Sequence, residues 1–217
     1  MLRAWTLRAL LLAALLRNRL RLRFLAWVHP GLEIAPGASP NLGGARFTIA
    51  PGGRVRIARG VVTEHRPGAL SFEVGPGGTI DVGEDVWLRT EIGFLHLAAH
   101  EGAELRIGPR SILSGCQLSA MQRIVLGTRA WIGPGVRVFD SDPHDLDAEH
   151  LKSPAPVAIG DHVWIAADCT VFKGVTIGEH SVIGTRSIVN ESVPPHTLAF
   201  GAPAEPRGTV GDRSRAT

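Results

Sequence analysis

The sequence predicts an all-β fold in which the chain winds into a parallel β-helix, a prism of stacked triangular coils, preceded by a helical arm. Two observations support this prediction. Near the C-terminus, consecutive six-residue units all begin with isoleucine or valine. Upstream, an aliphatic residue, any residue, an aliphatic residue and then glycine or alanine recur at longer intervals. Units of this kind bury their apolar side chains by stacking on their neighbours.

The six-residue units are contiguous and in phase. They begin at Ile159, Ile165, Val171, Ile177, Ile183 and Val189. The fifth residue of each unit is small or β-branched, namely Val163, Cys169, Val175, Ser181, Ser187 and Val193. One aliphatic and one small inward residue predict a short strand and a turn, so three units make one coil about 4.8 Å high.

The aliphatic anchor also recurs upstream of these units. It falls at Ile34, Ile57, Val82, Ile107, Leu126, Ile159 and Ile177. The interval from 126 to 159 exceeds one coil by about 15 residues, which predicts a loop over residues 139–156. The predicted β-helix domain spans residues 31–206. Loops on a rigid scaffold often hold functional residues.

The composition of the 217-residue chain excludes several classes of protein. Its 44% hydrophobic content excludes intrinsic disorder, and its glycines follow no triplet period, which excludes collagen. Two cysteines cannot form a disulfide framework. Cys116 and Cys169 are candidate nucleophiles, but the repeat predicts that both are small buried residues. Outside residues 1–28 there are 17 basic and 20 acidic residues, so the body does not favour nucleic acid.

Residues 1–30 form an arm rich in arginine and leucine. Residues 1–28 hold six arginines and no acid, and they predict a helix that ends before His29-Pro30. Its longest apolar run is Ala9–Leu16, whereas a bilayer-spanning helix needs about 20 residues. Three interpretations stay open, namely contact with an anionic membrane surface, packing on the protein's own oligomer, and a cleaved signal peptide. At the other end, residues 207–217 are predicted to be a flexible tail.

Several motifs occur together in the second half of the chain. They are Asp-Ser-Asp-Pro-His ending at His144, Ile-Gly-Asp-His-Val-Trp beginning at Ile159, and Val-Pro-Pro-His-Thr beginning at Val193 with a following Gly-Ala-Pro-Ala. In this combination the chain resembles the hexapeptide-repeat O-acetyltransferases, the maltose and galactoside acetyltransferase-like enzymes that use acetyl-CoA. The resemblance covers about residues 104–205 well and the earlier coils loosely. It implies a left-handed β-helix, an exception to the right-handed crossover rule.

The resemblance implies a general base in the loop. Acetyl transfer to a hydroxyl needs a base because an alcohol is a poor nucleophile at neutral pH, and much of an ordinary histidine is neutral there. The family's loop histidine, which takes the acceptor proton and then protonates the departing CoA thiolate, corresponds to His144. Asp140 and Asp142 are predicted to orient it or to bind acceptor hydroxyls. Ser114 stands where some members carry an asparagine on the acceptor side.

The resemblance also implies an acetyl-CoA site along the C-terminal coils. The family tryptophan corresponds to Trp164, and Ala167 and Thr185 stand where the family contacts the pantetheine arm. The family's usual Thr-Lys is replaced here by Asn190-Glu191, and its usual arginine after Gly-x-Pro-Ala is replaced by Glu205. Those basic residues meet the CoA phosphates in the family.

Three other basic residues are candidates to replace the missing phosphate contacts. They are Lys173, Arg186 and Arg207. No metal is expected at the site.

The resemblance further implies a homotrimer with active sites between subunits and a sugar or glycan acceptor. A cytoplasmic location is expected, with the arm at the inner membrane face. Two alternatives stay open. One is an N-acyltransferase that acts on an amino sugar or an antibiotic. The other is a non-transferase of the same fold, either a metal hydratase like the gamma-class carbonic anhydrases or a scaffold without CoA binding.

Overall fold

A computed structural model describes residues 2–142, 144, 145, 147 and 153–215, with side chains from Leu12 onward. Helix α1 (Leu2–Val28) is followed by a short 3-10 helix (Pro40–Gly44) and by strands only. In chain order, the strands are β1 (Leu32–Ile34), β2 (Arg46–Ile49), β3 (Arg54–Ile57), β4 (Val62–Thr63), β5 (Leu70–Val74), β6 (Thr79–Val82), β7 (Trp87–Arg89), β8 (Leu95–Ala99), β9 (Glu104–Ile107), β10 (Ile112–Ser114), β11 (Gln117–Ala120), β12 (Arg123–Leu126), β13 (Trp131–Ile132), β14 (Arg137–Phe139), β15 (Val157–Ile159), β16 (Trp164–Ile165), β17 (Thr170–Val171), β18 (Thr176–Ile177), β19 (Val182–Ile183), β20 (Ile188–Val189), β21 (Thr197–Gly201) and β22 (Ala204–Thr209).

The strands form three parallel sheets, one on each face of a triangular prism. Sheet A has the order β1-β3-β6-β9-β12-β15-β18, and sheet B has the order β2-β5-β8-β11-β14-β17-β20. Sheet C runs β4-β7-β10-β13-β16-β19-β21, and β22 adds to it antiparallel. The chain visits sheets A, C and B in turn, so the prism has an A–C edge, a C–B edge and a B–A edge. The predicted left-handed β-helix is confirmed.

The aliphatic anchors form one continuous column along sheet A. Ile34, Ile57, Val82, Ile107, Leu126, Ile159 and Ile177 are register partners from strand to strand. The fifth residues of the six-residue units are all at most 4% exposed, and they lie inside the prism with the anchors. The hydrophobic core is therefore a stack of equivalent layers, in which each coil covers the apolar side chains of the next.

Helix α1 packs against the first coil of the prism. Asn18 is only 2% exposed, and Leu22 and Leu25 pack on the core. The guanidinium of Arg21 donates hydrogen bonds to the carbonyl oxygens of Gly43 and Ala45. A Cβ atom on Gly43 would lie 2.5 Å from the Asn18 carbonyl oxygen, so the close approach of the helix requires glycine there. In the described part of the chain, no helix has the length and apolarity needed to cross a membrane.

The C-terminal segment differs from the predicted flexible tail. Residues 204–209 form β22, in which Thr209 pairs with Thr197, so the folded domain extends past the predicted boundary at 206. The amide of Val210 then donates to the His196 carbonyl oxygen at 2.7 Å. Polarity alone suggested a loose end, but the backbone of a polar segment pairs with an open sheet edge as well as any other.

Candidate active site

The loop that bears His144 leaves the prism at the B–A edge. It starts after β14 and returns at β15, as predicted, and residues 143, 146 and 148–152 lie outside the described part. Both ends are fastened by backbone hydrogen bonds, from the Ala155 amide to the Asp140 carbonyl and from the Gly174 amide to the Ala155 carbonyl. The His144 side chain is exposed. An exposed imidazole on a loop whose two ends are fixed is suited to proton transfer.

Asp140 is a structural residue at the foot of this loop. Its carboxylate accepts hydrogen bonds from the backbone amides of Met121, Gln122 and Arg123, at 2.7, 2.8 and 2.6 Å. The residue is 0% exposed. The predicted acceptor contact does not fit this position, because both oxygens face the turn of the preceding coil and no part of the side chain reaches solvent.

Asp142 and Lys173 form an ion pair that ties the loop to the next coil. The Lys173 ammonium contacts the Asp142 carboxylate and lies 3.4 Å from the Ser153 hydroxyl oxygen on the returning arm of the loop. Lys173 therefore holds both arms of the loop in place. The structure brings His144, Asp142 and Lys173 together at one edge, although Lys173 was predicted as a phosphate contact.

The remaining predicted cofactor residues lie on other parts of the prism. Trp164 faces outward from sheet C and is 40% exposed. Ala167 and Arg186 occupy neighbouring coils at the C–B edge, where the Arg186 amide donates to the Ala167 carbonyl at 2.9 Å, and Thr185 is exposed beside them. Ser114 ends β10 two coils lower in sheet C and is 5% exposed, so the acceptor contact predicted for it finds little accessible surface.

The three basic residues predicted to replace the phosphate contacts differ in how strongly nearby acids hold them. Arg207 is paired with Glu205 at 3.0 Å, the acid that replaces the family's arginine. Arg186 lies 4.0 Å from Asp168, and its side chain is 82% exposed. Of the three predicted substitutes for phosphate contacts, Arg186 is thus the least engaged, since Lys173 and Arg207 are each held by an acid at closer range.

A fourth basic residue, which the sequence did not predict, lies beside Trp164. Arg213, within the predicted tail, places its guanidinium 5.5 Å from the centre of the Trp164 ring and 5.6 Å from that of Trp131. Its Nε donates to the His162 carbonyl at 3.1 Å. No local signal marks Arg213, because its position depends on β22 and on the fold of the last coils. It adds a positive charge beside the predicted cofactor tryptophan.

Arg213 is held against a stack of histidines on the A–C edge. His162, His180 and His196 lie with ring centres 4.8 Å apart in successive coils, and the Arg213 amide donates to His180 Nδ1. Burial lowers the pKa of His162, and the nearby charges of His180 and Arg129 lower it further. The shared place of His162 and His180 in the six-residue unit was visible in the sequence, and their spacing of one coil is what makes them stack.

The two cysteines are buried structural residues, as predicted. Cys116 and Cys169 are 2% and 0% exposed. Burial raises the pKa of the Cys116 thiol to about 12 and raises that of Cys169. A thiol must ionise to act as a nucleophile, so neither side chain is suited to form an acyl intermediate. Within the described residues, no group of three or more histidine, cysteine or acidic side chains could hold a metal ion.

The predicted site residues therefore form two separate groups in one chain. His144, Asp142 and Lys173 lie at the B–A edge, whereas Ala167, Thr185 and Arg186 lie at the C–B edge, and Trp164 lies on sheet C. The whole width of sheet B separates the two edges.

Two proteins with similar sequences have acetyltransferase names. Galactoside O-acetyltransferase of Escherichia coli K12 is 30% identical over 139 residues, which are 62% of this chain and 66% of that protein. The chain is a homologue of this acetyltransferase. A Schizosaccharomyces pombe protein whose name places it among the acetyltransferases is 38% identical over 94 residues, which are 42% of this chain and 45% of that protein. No protein-family model matches. The chain spans less than two thirds of the length of either relative.

Solved structures of acetyltransferases share the fold of this homologue. The polySia specific acetyltransferase NeuO superimposes with a TM-score of 0.62 at 20% identity, covering 87% of this chain and 85% of that one. A hexapeptide-repeat acetyltransferase from Vibrio cholerae, solved with acetyl-CoA, gives a TM-score of 0.48 at 22% identity and covers 80% of this chain and 75% of that one. At these identities the likeness concerns the fold alone.

Proposed function

We propose that the protein is an acetyl-CoA-dependent O-acetyltransferase that acts on a sugar or glycan hydroxyl, with His144 as the general base. The observation that supports this most strongly is the loop itself. Asp140, Lys173 and the backbone bonds of Ala155 fix its two ends, and His144 stands exposed between them. Such an arrangement can present an imidazole to a substrate with little loss of conformational entropy on binding.

His144 would act twice in direct transfer. Its neutral imidazole accepts the proton of the acceptor hydroxyl as that oxygen attacks the thioester carbonyl. The resulting imidazolium then returns the proton to the leaving sulfur. Bound acetyl-CoA supplies the thioester. No covalent acyl-enzyme is needed, in keeping with the burial of both cysteines.

The separation of the two groups of site residues supports a site built by two chains. Trp164, Ala167, Thr185 and Arg186 would bind acetyl-CoA along one subunit, and the His144 loop of a neighbouring subunit would meet them. Prisms packed side by side as a homotrimer would repeat this arrangement at each interface. Arg186 is the predicted phosphate contact that the described geometry leaves most available.

The proposed chemistry is tested by following thiol release from acetyl-CoA with hydroxyl acceptors and with amino-sugar acceptors in parallel. We expect release that depends on a hydroxyl acceptor and a product that hydroxylamine cleaves, since an ester is cleaved and an amide is not. Release with amino sugars alone would instead favour the N-acyltransferase alternative. Failure to bind acetyl-CoA would favour a non-transferase.

We also propose that the arm binds an anionic membrane surface. The protein would then act at the cytoplasmic face of the membrane, as expected from the sequence. Leu12, Leu16, Leu20, Phe24 and Trp27 are 56 to 80% exposed. Side chains spaced three and four residues apart share one face of a helix, and none of these five packs on the hydrophobic core. Exposed Arg19 lies beside this stripe, and exposed Arg23 lies within it. An apolar stripe beside arginines suits the interface of anionic lipids.

Sedimentation with lipid vesicles tests the arm. The full chain should bind vesicles containing phosphatidylglycerol more than phosphatidylcholine vesicles, and added salt should weaken binding. The double variant Phe24→Ala/Trp27→Ala should lower partitioning at least about tenfold, because each aromatic side chain buries apolar area. Phe172→Ala, at an exposed aromatic outside the arm, is the matched control. Equal binding by both variants, or self-association that the arm variant abolishes, would contradict membrane contact.

A further inference from the structure

An unbroken row of apolar side chains runs along the outer surface of sheet C. It takes one outward residue from each of five adjacent strands, from the first coil up to the predicted cofactor tryptophan. In register, the sheet C row is Val62, Trp87, Ile112, Trp131 and Trp164. Four strand-to-strand steps of about 4.8 Å give it a length of about 19 Å.

The sheet C row is more apolar than a surface that faces only water. Val62, Trp87 and Trp164 are 45, 37 and 40% exposed, and the two members between Trp87 and Trp164 are half-buried. The corresponding outward residues in the lower coils of sheet A are all charged, namely Glu33, Arg56, Asp81 and Arg106. A continuous exposed apolar band marks a surface that binds a ligand or a partner.

The sheet C row stays open in the proposed homotrimer. The edges that would meet neighbouring subunits are the B–A edge and the C–B edge, so the sheet between them, sheet B, faces the other subunits. The chain enters sheet C from the A–C edge, and every member of the row is the first residue of its strand. The row therefore lies on the side of sheet C that is farther from the neighbouring subunit.

Arginine side chains cover part of each tryptophan in the row. The guanidinium of Arg89 lies 4.7 Å from the centre of the Trp87 ring, and that of Arg213 lies 5.6 and 5.5 Å from the centres of Trp131 and Trp164. A sugar ring binds by stacking on a free aromatic face, whereas a hydrocarbon chain needs only apolar area. Because one face of each ring is covered and aliphatic residues complete the row, it suits a hydrocarbon chain better than a sugar chain.

The lower end of the row adjoins the exposed apolar stripe of the arm. Val62 lines one groove of about 920 Å³ together with Leu16 and Leu20 of α1. These two leucines belong to the stripe that we propose to enter the membrane interface. The arm and the sheet C row thus form one apolar path from that interface to Trp164.

We propose that the sheet C row binds the hydrocarbon chain of the acceptor, so that the acceptor is a sugar carried on a lipid rather than a free sugar. The inference about the acceptor rests on the proposed transferase function, whereas the binding of a hydrocarbon chain does not. The chain would enter beside Val62 and lie over Trp87 and Ile112, and the sugar would follow toward Trp164. The row is about 19 Å long and one bilayer leaflet is about 15 Å deep, so the row can hold most of a lipid chain.

Calorimetric binding of alkyl galactosides to the full chain tests the row, with methyl, hexyl, octyl and decyl galactoside below their critical micelle concentrations. We expect the Kd to fall about threefold or more for every two methylene groups added, because each one leaves water on binding. The double variant Val62→Thr/Ile112→Thr replaces apolar surface and keeps β-branched residues in the strands. It should raise the Kd of decyl galactoside about tenfold and leave the thermal midpoint of unfolding unchanged.

Two further variants separate this inference from the proposed chemistry. Val125→Thr makes the same kind of substitution on the outer surface of sheet A and should leave the Kd unchanged. His144→Ala should abolish transfer and still bind decyl galactoside. A Kd that does not depend on chain length, no binding of decyl galactoside, or a double variant that changes only the oligomeric state would each overturn the assignment of the row. Chain-dependent binding by the wild type without transfer to any hydroxyl acceptor would instead overturn the proposed function.

Discussion

His144→Ala should lower kcat for acetyl transfer by roughly a hundredfold to ten-thousandfold, because no other group would then take the proton of the acceptor hydroxyl. The thermal midpoint of unfolding should not change. The side chain is exposed, and it forms no hydrogen bond with the other residues that the structure describes. Initial rates of thiol release, measured beside a thermal melt, check both statements.

Two additions make this experiment specific for the imidazole. Free imidazole should partly restore transfer in His144→Ala, because a small base can enter the space that the side chain leaves. His29→Ala is a control at the opposite end of the prism and should keep wild-type rates. Full activity of His144→Ala would refute the assignment of the general base.

Asp140→Ala should destabilise the protein by roughly 3–5 kcal/mol, because three backbone amides would lose a charged acceptor in a place that water does not reach. The distances of 2.6 to 2.8 Å and the complete burial of the carboxylate are the basis of this value. The free energy of unfolding in urea is the measurement. Asp140→Asn, which keeps one acceptor oxygen, should lose less.

Asp142→Ala is the matched control, because it changes the same residue type two positions along the same loop. Its partner Lys173 is partly exposed, and such pairs stabilise proteins by about 1 kcal/mol or less. If Asp140→Ala unfolded at the same urea concentration as the wild type but lost transfer activity, the structural role of Asp140 would be wrong. The result would instead support the acceptor contact predicted from the sequence.

The two aspartates show where sequence reasoning reaches its limit. In the sequence both are acids of a loop that a histidine motif marks as functional, and nothing local distinguishes them. The structure distinguishes them by the coil that each one contacts. Asp140 accepts hydrogen bonds from the backbone amides of residues 121–123 in the coil below, whereas Asp142 pairs with Lys173 in the coil above. Such contacts depend on how far a loop residue lies from the neighbouring coil, which a pattern of residue types does not contain.

The C-terminal segment shows the same limit for the position of a charged side chain. A polar, glycine-containing end is typical of a loose tail, and that expectation omitted Arg213. The antiparallel pairing of β22 with β21 directs the following residues back along the prism, and only then does the guanidinium reach Trp164.

The sequence by itself determined the coil stack, including the register column that joins Ile34 to Ile177, the inward small residues and the position of the His144 loop. This was possible because burial in a repeat is periodic, so each unit carries the same local signal. Only the tertiary structure decided which loop acid is buried, where the C-terminal arginine lies and which edge of the prism each predicted site residue occupies. Those outcomes depend on contacts between coils distant along the chain, and such contacts have no period to reveal them.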